Sequence, residues 1–211
     1  MFSEDIIFEA CALTCDRMNE CISRFKDFKT EKEVKDFLNK GFELSFDTIV
    51  ASGPNASEPH HCKDDKLNKG FCVIDFGIKH KGFCTDMTRT IYLGTPSPKE
   101  INLYNYLLKE HKKMLKQVKN KSNIEYIEKC FRKRIGNLNR LFIHKLSHGI
   151  GKVVHEKLPH FVSKNDIFSI EPGFYERNKY GIRIEDMVMI DRQFKKRVLT
   201  SKVSRELIII N

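Results

Sequence analysis

A chain of 211 residues with 40% hydrophobic and 31% charged residues, 11 Gly and 6 Pro, has the length of one large domain or two small ones. It carries enough apolar material for a sizeable core, which excludes long disorder, a collagen-like repeat and dependence on disulfide staples. No run approaches the roughly 18 consecutive apolar residues of a membrane-spanning helix, and residues 1–5 lack the basic-then-apolar layout of a leader, so the expected address is the cytoplasm.

In chain order, the first helix opens at Ser3, with Glu4 and Asp5 at the positive end of its dipole and an apolar face through Ile7, Cys11, Thr14, Met18, Cys21 and Phe25. Thr30 with Glu33 reads as a capping box for a second helix that stops at Gly41. Strands are expected over 49–51, 71–76 and 83–93. Ser97 with Glu100, and Pro98 at the first helical position, open a third helix; Ser122 with Glu125 opens a fourth that stops at Gly136. Strands follow over 167–170, 181–190 and 207–210. Helix, helix, strands, helix, helix, strands is the order of an α+β domain in two similar halves. No Pro/Gly/Ser-rich linker parts them, so 1–211 is read as a single domain.

The seven cysteines, at 11, 15, 21, 62, 72, 84 and 130, contain no C-x-x-C pair and are read as reduced, Cys72 and Cys84 as core filler. The net charge of +10 is uneven: residues 109–134 carry ten Lys/Arg against three Asp/Glu, and 192–205 carry six against none. Solvated basic faces of this kind attract nucleic acid weakly and without sequence preference.

The halves share an internal pattern. Asp75-Phe76-Gly77 precedes Gly82-Phe83-Cys84-Thr85-Asp86, and Glu171-Pro172-Gly173 precedes Gly181-Ile182-Arg183-Ile184-Glu185. In both, an acid stands two residues before one glycine and a second acid four residues after another, the layout of a duplicated hairpin that brings its two acids together. Asp75 and Glu171 end apolar strands, where an unpaired carboxylate is costly. Four converging acids without four matching bases favour divalent metal, since carboxylates can bridge two ions. His144, His148 and His155 lie near these acids in sequence, around Gly149 and Gly151. The glycines argue against a helical His144/His148 zinc pair, and His155-Glu156-Lys157-Leu158-Pro159-His160 is not H-E-x-x-H.

The runs Val73-Ile74-Asp75-Phe76-Gly77, Thr85-Asp86-Met87-Thr88-Arg89-Thr90, His148-Gly149-Ile150-Gly151, His155-Glu156, Ile170-Glu171-Pro172-Gly173 and Gly181-Ile182-Arg183-Ile184-Glu185-Asp186 resemble the metallopeptidase family of methionine aminopeptidase, aminopeptidase P and prolidase. The similarity extends from about Thr30 to Glu206. It implies the pita-bread fold, an internally duplicated α+β domain whose curved antiparallel sheet is covered by helices. It also implies two divalent ions (Mn, Co, Fe or Zn): Asp75 binds one, His148 and Glu171 the other, and Asp86 and Glu185 bridge them. A water held at the site attacks the scissile carbonyl, Glu171 accepts its proton and a metal polarises the carbonyl oxygen. His60, in Glu58-Pro59-His60, and His155 match accessory histidines that serve catalysis and substrate binding; His144 and Arg183 join them around the substrate. Strand alternation puts Arg183 on the face of Glu185, so an ion pair with a buried acid stands beside its substrate role.

Thr88-Arg89-Thr90 and the run from Gly181 to Asp186 resemble the proline-directed branch. The partner implied is a peptide with proline second from its free N-terminus, and a homodimer is compatible with the resemblance. A methionine aminopeptidase is the alternative enzyme. A non-catalytic module, as in chromatin- and RNA-associated proteins that reuse this fold, is the alternative class, and retention of all five ligand positions argues against it. Three departures from the family pattern stand out. Lys145 and Ser147 replace small residues, Lys145 adding positive charge at the pocket edge. The segments between His155 and Glu171 and between Glu171 and Arg183 are short, and the amino-terminal domain of proline-directed members is absent.

Overall fold

The computed structural model describes residues 3–211; Met1 and Phe2, part of the terminus read above as carrying no leader, lie outside the described residues. Helix α1 (Glu4–Ser23) opens at Ser3, whose hydroxyl accepts the Ile6 N–H at 3.3 Å. Its expected face is buried from Ile7 to Cys21, and Phe25 is buried in a 3-10 turn just beyond. Helix α2 (Glu31–Asn39) opens on the Thr30/Glu33 capping box and ends before Gly41. The strands that follow are β1 (Ile49–Ser52), β2 (Gly70–Phe76), β3 (Lys79–His80), β4 (Phe83–Cys84) and β5 (Met87–Leu93). Helix α3 (Pro98–Gln117) opens on the Ser97/Glu100 box.

Helix α4 (Ile124–Ile135) departs by one residue: Asn123, not Ser122, is the cap, its Oδ1 accepting the Tyr126 N–H at 2.8 Å. The two residue types cap about equally well, and Ser122 is committed elsewhere, accepting the Lys119 N–H at 2.9 Å. Gly136 stops the helix at φ +52°. The second half continues with β6 (Ile167–Ile170), β7 (Gly173–Glu176), β8 (Tyr180–Arg183), β9 (Asp186–Ile190), β10 (Lys196–Val198) and β11 (Ile209–Ile210).

The two long strands expected over 83–93 and 181–190 are each broken, at Thr85–Asp86 and at Ile184–Glu185. The cause is a change of partner. β2 pairs antiparallel with β5, Asp75 opposite Thr88, and the chain between them folds out as the β3/β4 hairpin. β6 pairs antiparallel with β9, Ile170 opposite Asp186, and the β7/β8 hairpin folds out in the same way. The first hairpin needs glycine at its root: a Cβ on Gly77 would lie 2.0 Å from the Thr85 carbonyl oxygen. The duplication read from the acids is therefore a duplication of strand pairs. One strand departs from the antiparallel pattern, β11, which runs parallel to β5 at the edge of the sheet β1-β2-β5-β11.

Helices α1 and α2, with the turn after α1, cover the first half, burying Met18, Leu38 and Phe25 against Val50, Ile74 and Phe76. α3 and α4 cover the second, burying Tyr104, Leu107 and Phe131 against Phe168, Phe174 and Ile182. Each such side chain contributes roughly 1.5–3 kcal/mol by leaving water. The halves meet along β5: the Thr90 hydroxyl donates to the Arg183 carbonyl at 2.8 Å, and the Glu185 N–H donates to the Thr88 carbonyl at 3.1 Å. Among the described residues no helix is long and apolar enough to cross a membrane.

Candidate metal centre

Three of the acids singled out in the sequence sit where a strand changes partner, and the fourth, Asp75, sits within a paired strand near its end. Asp75 is the penultimate residue of β2, Asp86 immediately precedes β5, Glu171 lies between β6 and β7, and Glu185 immediately precedes β9. His148 is laid beside β6 by two backbone contacts, its N–H donating to Ser169 Oγ and its carbonyl accepting the Ser169 N–H, both at 3.0 Å. Its Nε2 then lies 3.3 Å from Glu171 Oε1, 3.5 Å from Asp86 Oδ2 and 3.9 Å from Glu185 Oε1.

A cavity of about 690 Å³ is lined by these residues and by His60, His144, His155 and Arg183, so all nine positions read from the sequence come together. His60 and His155 are exposed, the His155 ring edge-on to His148 with centroids 4.4 Å apart. His144 Nε2 is 3.2 Å from the Tyr175 hydroxyl. Arg183 is buried and fully engaged: Nη2 donates to Asp75 Oδ2 at 2.7 Å, Nε to Thr88 Oγ1 at 2.9 Å and Nη1 to the Tyr175 hydroxyl at 2.9 Å. The expected ion pair with a buried acid is thus formed, with Asp75.

One guanidinium does not balance four carboxylates. Asp75 Oδ1, Asp86 Oδ1 and Glu185 Oε1 are buried without a hydrogen-bond partner, and uncompensated buried charge of this kind costs several kcal/mol per group. Burial, with the neighbouring acids Glu185, Asp75 and Glu171, pushes the Asp86 carboxyl well above the usual range. Burial and the charges of Glu171 and Asp75 push Glu185 up to about 8. Burial, opposed by Arg183, brings Glu171 up to about 7. His144 is pushed down to about 4 by burial and by Arg183, which leaves a neutral imidazole. Orphaned hard oxygens around one imidazole are a donor set suited to a divalent ion, and Asp86, His148 and Glu185 offer ligand atoms all within 4.8 Å of one another. The Thr88 hydroxyl, donating to Glu185 Oε2 at 2.8 Å, and the Ser169 hydroxyl, donating to Glu171 Oε1 at 3.1 Å, fix which carboxylate oxygens remain open.

Residues 5–192 match metallopeptidase family M24. The chain belongs to that family. The Xaa-Pro dipeptidase of Pyrococcus horikoshii is 34% identical across 96% of this chain and 62% of its own length, and that of Pyrococcus furiosus 32% across 97% and 63%. An uncharacterized peptidase of Staphylococcus epidermidis is 36% identical over 76% of this chain. The crystal structure of X-Pro aminopeptidase from Thermotoga maritima superimposes with a TM-score of 0.89 at 29% identity, covering 99% of this chain and 64% of that one. The M24 chain described here has the pita-bread α+β fold that the resemblance implied, and it spans between about half and just under two thirds of the length of these relatives.

Two features of this M24 site escaped the sequence reading. Tyr175 links Arg183 to His144, but residues 173–176 were not read as a strand; had they been, alternation from Gly173 would have put Tyr175 on the Arg183 side. Asp186, next to Glu185, faces the opposite way into the core. Burial alone would raise its carboxyl, but Arg89 at 2.8 Å, His111 and Arg205 hold it far below the usual range.

Proposed function

We propose that this M24 chain holds two divalent ions and hydrolyses the bond between an N-terminal residue and a following proline. The observation that carries the reading is the convergence of Asp86, Glu171 and Glu185 on His148 Nε2 inside one cavity that Asp75 also lines, with orphaned buried oxygens on Asp75, Asp86 and Glu185. Asp75 would hold one ion, His148 and Glu171 the other, and Asp86 and Glu185 would be shared between them. When bound, the ions polarise the scissile carbonyl and make a water acidic at neutral pH.

The remaining work falls to the chain. Glu171 accepts the proton of the attacking water and passes it to the departing proline nitrogen, its carboxylate lining the cavity and held there by the Ser169 hydroxyl on Oε1. His60 and His155, exposed at the rim, donate to the substrate where negative charge develops. Neutral His144, held by Tyr175, shapes the pocket beside Glu171, from which its Nδ1 is 3.8 Å away. Arg183 fixes Asp75 and carries the one buried positive charge among the acids. Relatives named as Xaa-Pro dipeptidases, and a solved X-Pro aminopeptidase, support proline at the second position.

The test combines metal analysis with a dipeptide panel. Two equivalents of divalent metal per chain and hydrolysis of Ala-Pro in preference to Met-Ala are expected. Hydrolysis of Met-Ala with Ala-Pro left intact would transfer the chain to methionine aminopeptidase chemistry.

A further inference from the structure

Glu31, the first residue of α2, is 0% exposed and lies outside the cavity wall. Its Oε1 accepts the Ser52 N–H at 2.7 Å, the Ser52 hydroxyl at 2.8 Å and an Asn55 Nδ2–H at 3.1 Å. Its Oε2 accepts the Asp65 N–H at 3.3 Å and lies 2.9 Å from His61 Nε2. The Glu31 N–H itself donates to the Asp65 carbonyl at 2.9 Å. Both ends of segment 52–65 and two residues within it are thus tied to one buried side chain, which closes the segment into a compact loop.

The far side of the loop leans on the second half. A Cβ on Gly181 would lie 1.7 Å from the Ala56 carbonyl oxygen, and Ser57 Oγ accepts the Asn178 N–H at 3.1 Å. Between Ser57 and β2 the chain has no helix or strand of its own. His60 therefore takes its place in the cavity from its neighbour His61, whose ring is 2% exposed and abuts Glu31. Glu31, His61 and Asp65 also have the composition of a cation site, with ligand atoms within 4.8 Å of one another. Both Glu31 oxygens, however, are already occupied by donors, so the cluster acts as a clamp.

We infer that Glu31 is a positioning residue for substrate binding, acting through His61 to hold His60 at the cavity rim without touching substrate itself. The inference rests on the Xaa-Pro reading for the role of His60.

Glu31→Gln keeps the volume but sets an amide nitrogen against the donors that Oε1 or Oε2 now accepts. In the full chain, kcat/KM for Ala-Pro should fall roughly ten- to hundredfold, mainly through KM, as expected for a misplaced binding group, with bound metal unchanged. In the His60→Ala background the same substitution should cost less than about threefold, because the group it positions is gone. An equal loss in both backgrounds, or loss of metal in step with activity, overturns the inference. If Glu31→Gln does not yield folded protein, His61→Phe enters the same cycle with the same expectations.

A second readout needs no turnover. Amide hydrogen exchange over segment 52–65 should quicken about tenfold or more in Glu31→Gln while β5 keeps its protection, and unchanged exchange there overturns the clamp. Failure of the unsubstituted chain on Ala-Pro would refute the Xaa-Pro reading, with the exchange result still deciding on the clamp.

Discussion

Stripping the metal should make this protein less stable as pH rises from 6.5 to 8, opposite to the trend expected of salt-bridged acids. Glu185 is pushed up to about 8, Glu171 to about 7 and Asp86 well above its usual range, in each case first by burial. In the unfolded chain carboxyls titrate near 4. Between those values the folded state holds protons that the unfolded state has released, so unfolding becomes more favourable with rising pH. Below about 6.5 the trend is mixed. His111 and His144, both pushed down to about 4 by burial, gain stability for the fold as pH rises towards the ordinary histidine value. Above that value the unfolded imidazoles, His155 included, lose their last protons within about one pH unit, so their opposing contribution fades and the acids dominate the window.

Each proton kept across the window from 6.5 to 8 is worth about 1.4 kcal/mol per pH unit, hence roughly 2 kcal/mol in total. For a chain of this size that is a fall in Tm of about 4–8 °C per retained proton. The assay is thermal unfolding in chelator at the two pH values, with Glu185→Gln, which carries no titrating group there, expected to show a smaller fall. A Tm in chelator that is flat or rises between pH 6.5 and 8 would refute the account of the site as an over-charged acid cluster.

Three further outcomes follow from the same geometry. Asp86→Ala and Glu185→Ala should each remove metal and activity together, read by elemental analysis beside turnover; full turnover by either without added metal contradicts the bridging assignment. Arg183→Ala takes the 2.7 Å donor from Asp75, so metal content should fall with rate; retention of both ions with a loss confined to short peptides would restore a direct substrate role. Lys145 lines the cavity and, among the described residues, makes no ion pair, so Lys145→Met should raise KM several-fold for Ala-Pro with a free carboxylate and little for its amide, in keeping with a solvent-screened charge pair. Equal KM changes for the two peptides would remove Lys145 from carboxylate recognition.

What the sequence disclosed depended on the range of the signal. Capping boxes act within three residues, and two of the three expected opened their helices as read. The third moved to Asn123 because a neighbouring turn claimed Ser122. The four acids that line the cavity stood out because they recur at fixed offsets from glycines in both halves, and His148 because it sits in a glycine-bounded motif of the family. The strand breaks at Thr85–Asp86 and Ile184–Glu185 were not, since apolar periodicity runs straight through a change of partner. Glu31 was not either: in sequence it is one more acid in the first turn of a helix, and only the fold brings residues 52–65 onto it.

The duplication also conceals how the site is held. Read along the chain, each half supplies its own pair of acids around its own hairpin. In space the supporting contacts are exchanged: Arg183 of the second half grips Asp75 of the first, and Thr88 of the first half orients Glu185 of the second. The backbone exchanges partners as well, Glu185 donating to the Thr88 carbonyl and Thr90 to the Arg183 carbonyl. An acid pair built within one hairpin would have lacked its orienting donor and stayed free to turn away from a buried charge. Because Asp75 and Glu185 are each held by a donor from the other half, while Ser169 holds Glu171 within its own, the first two acids are fixed in place only when both halves have folded and met along β5.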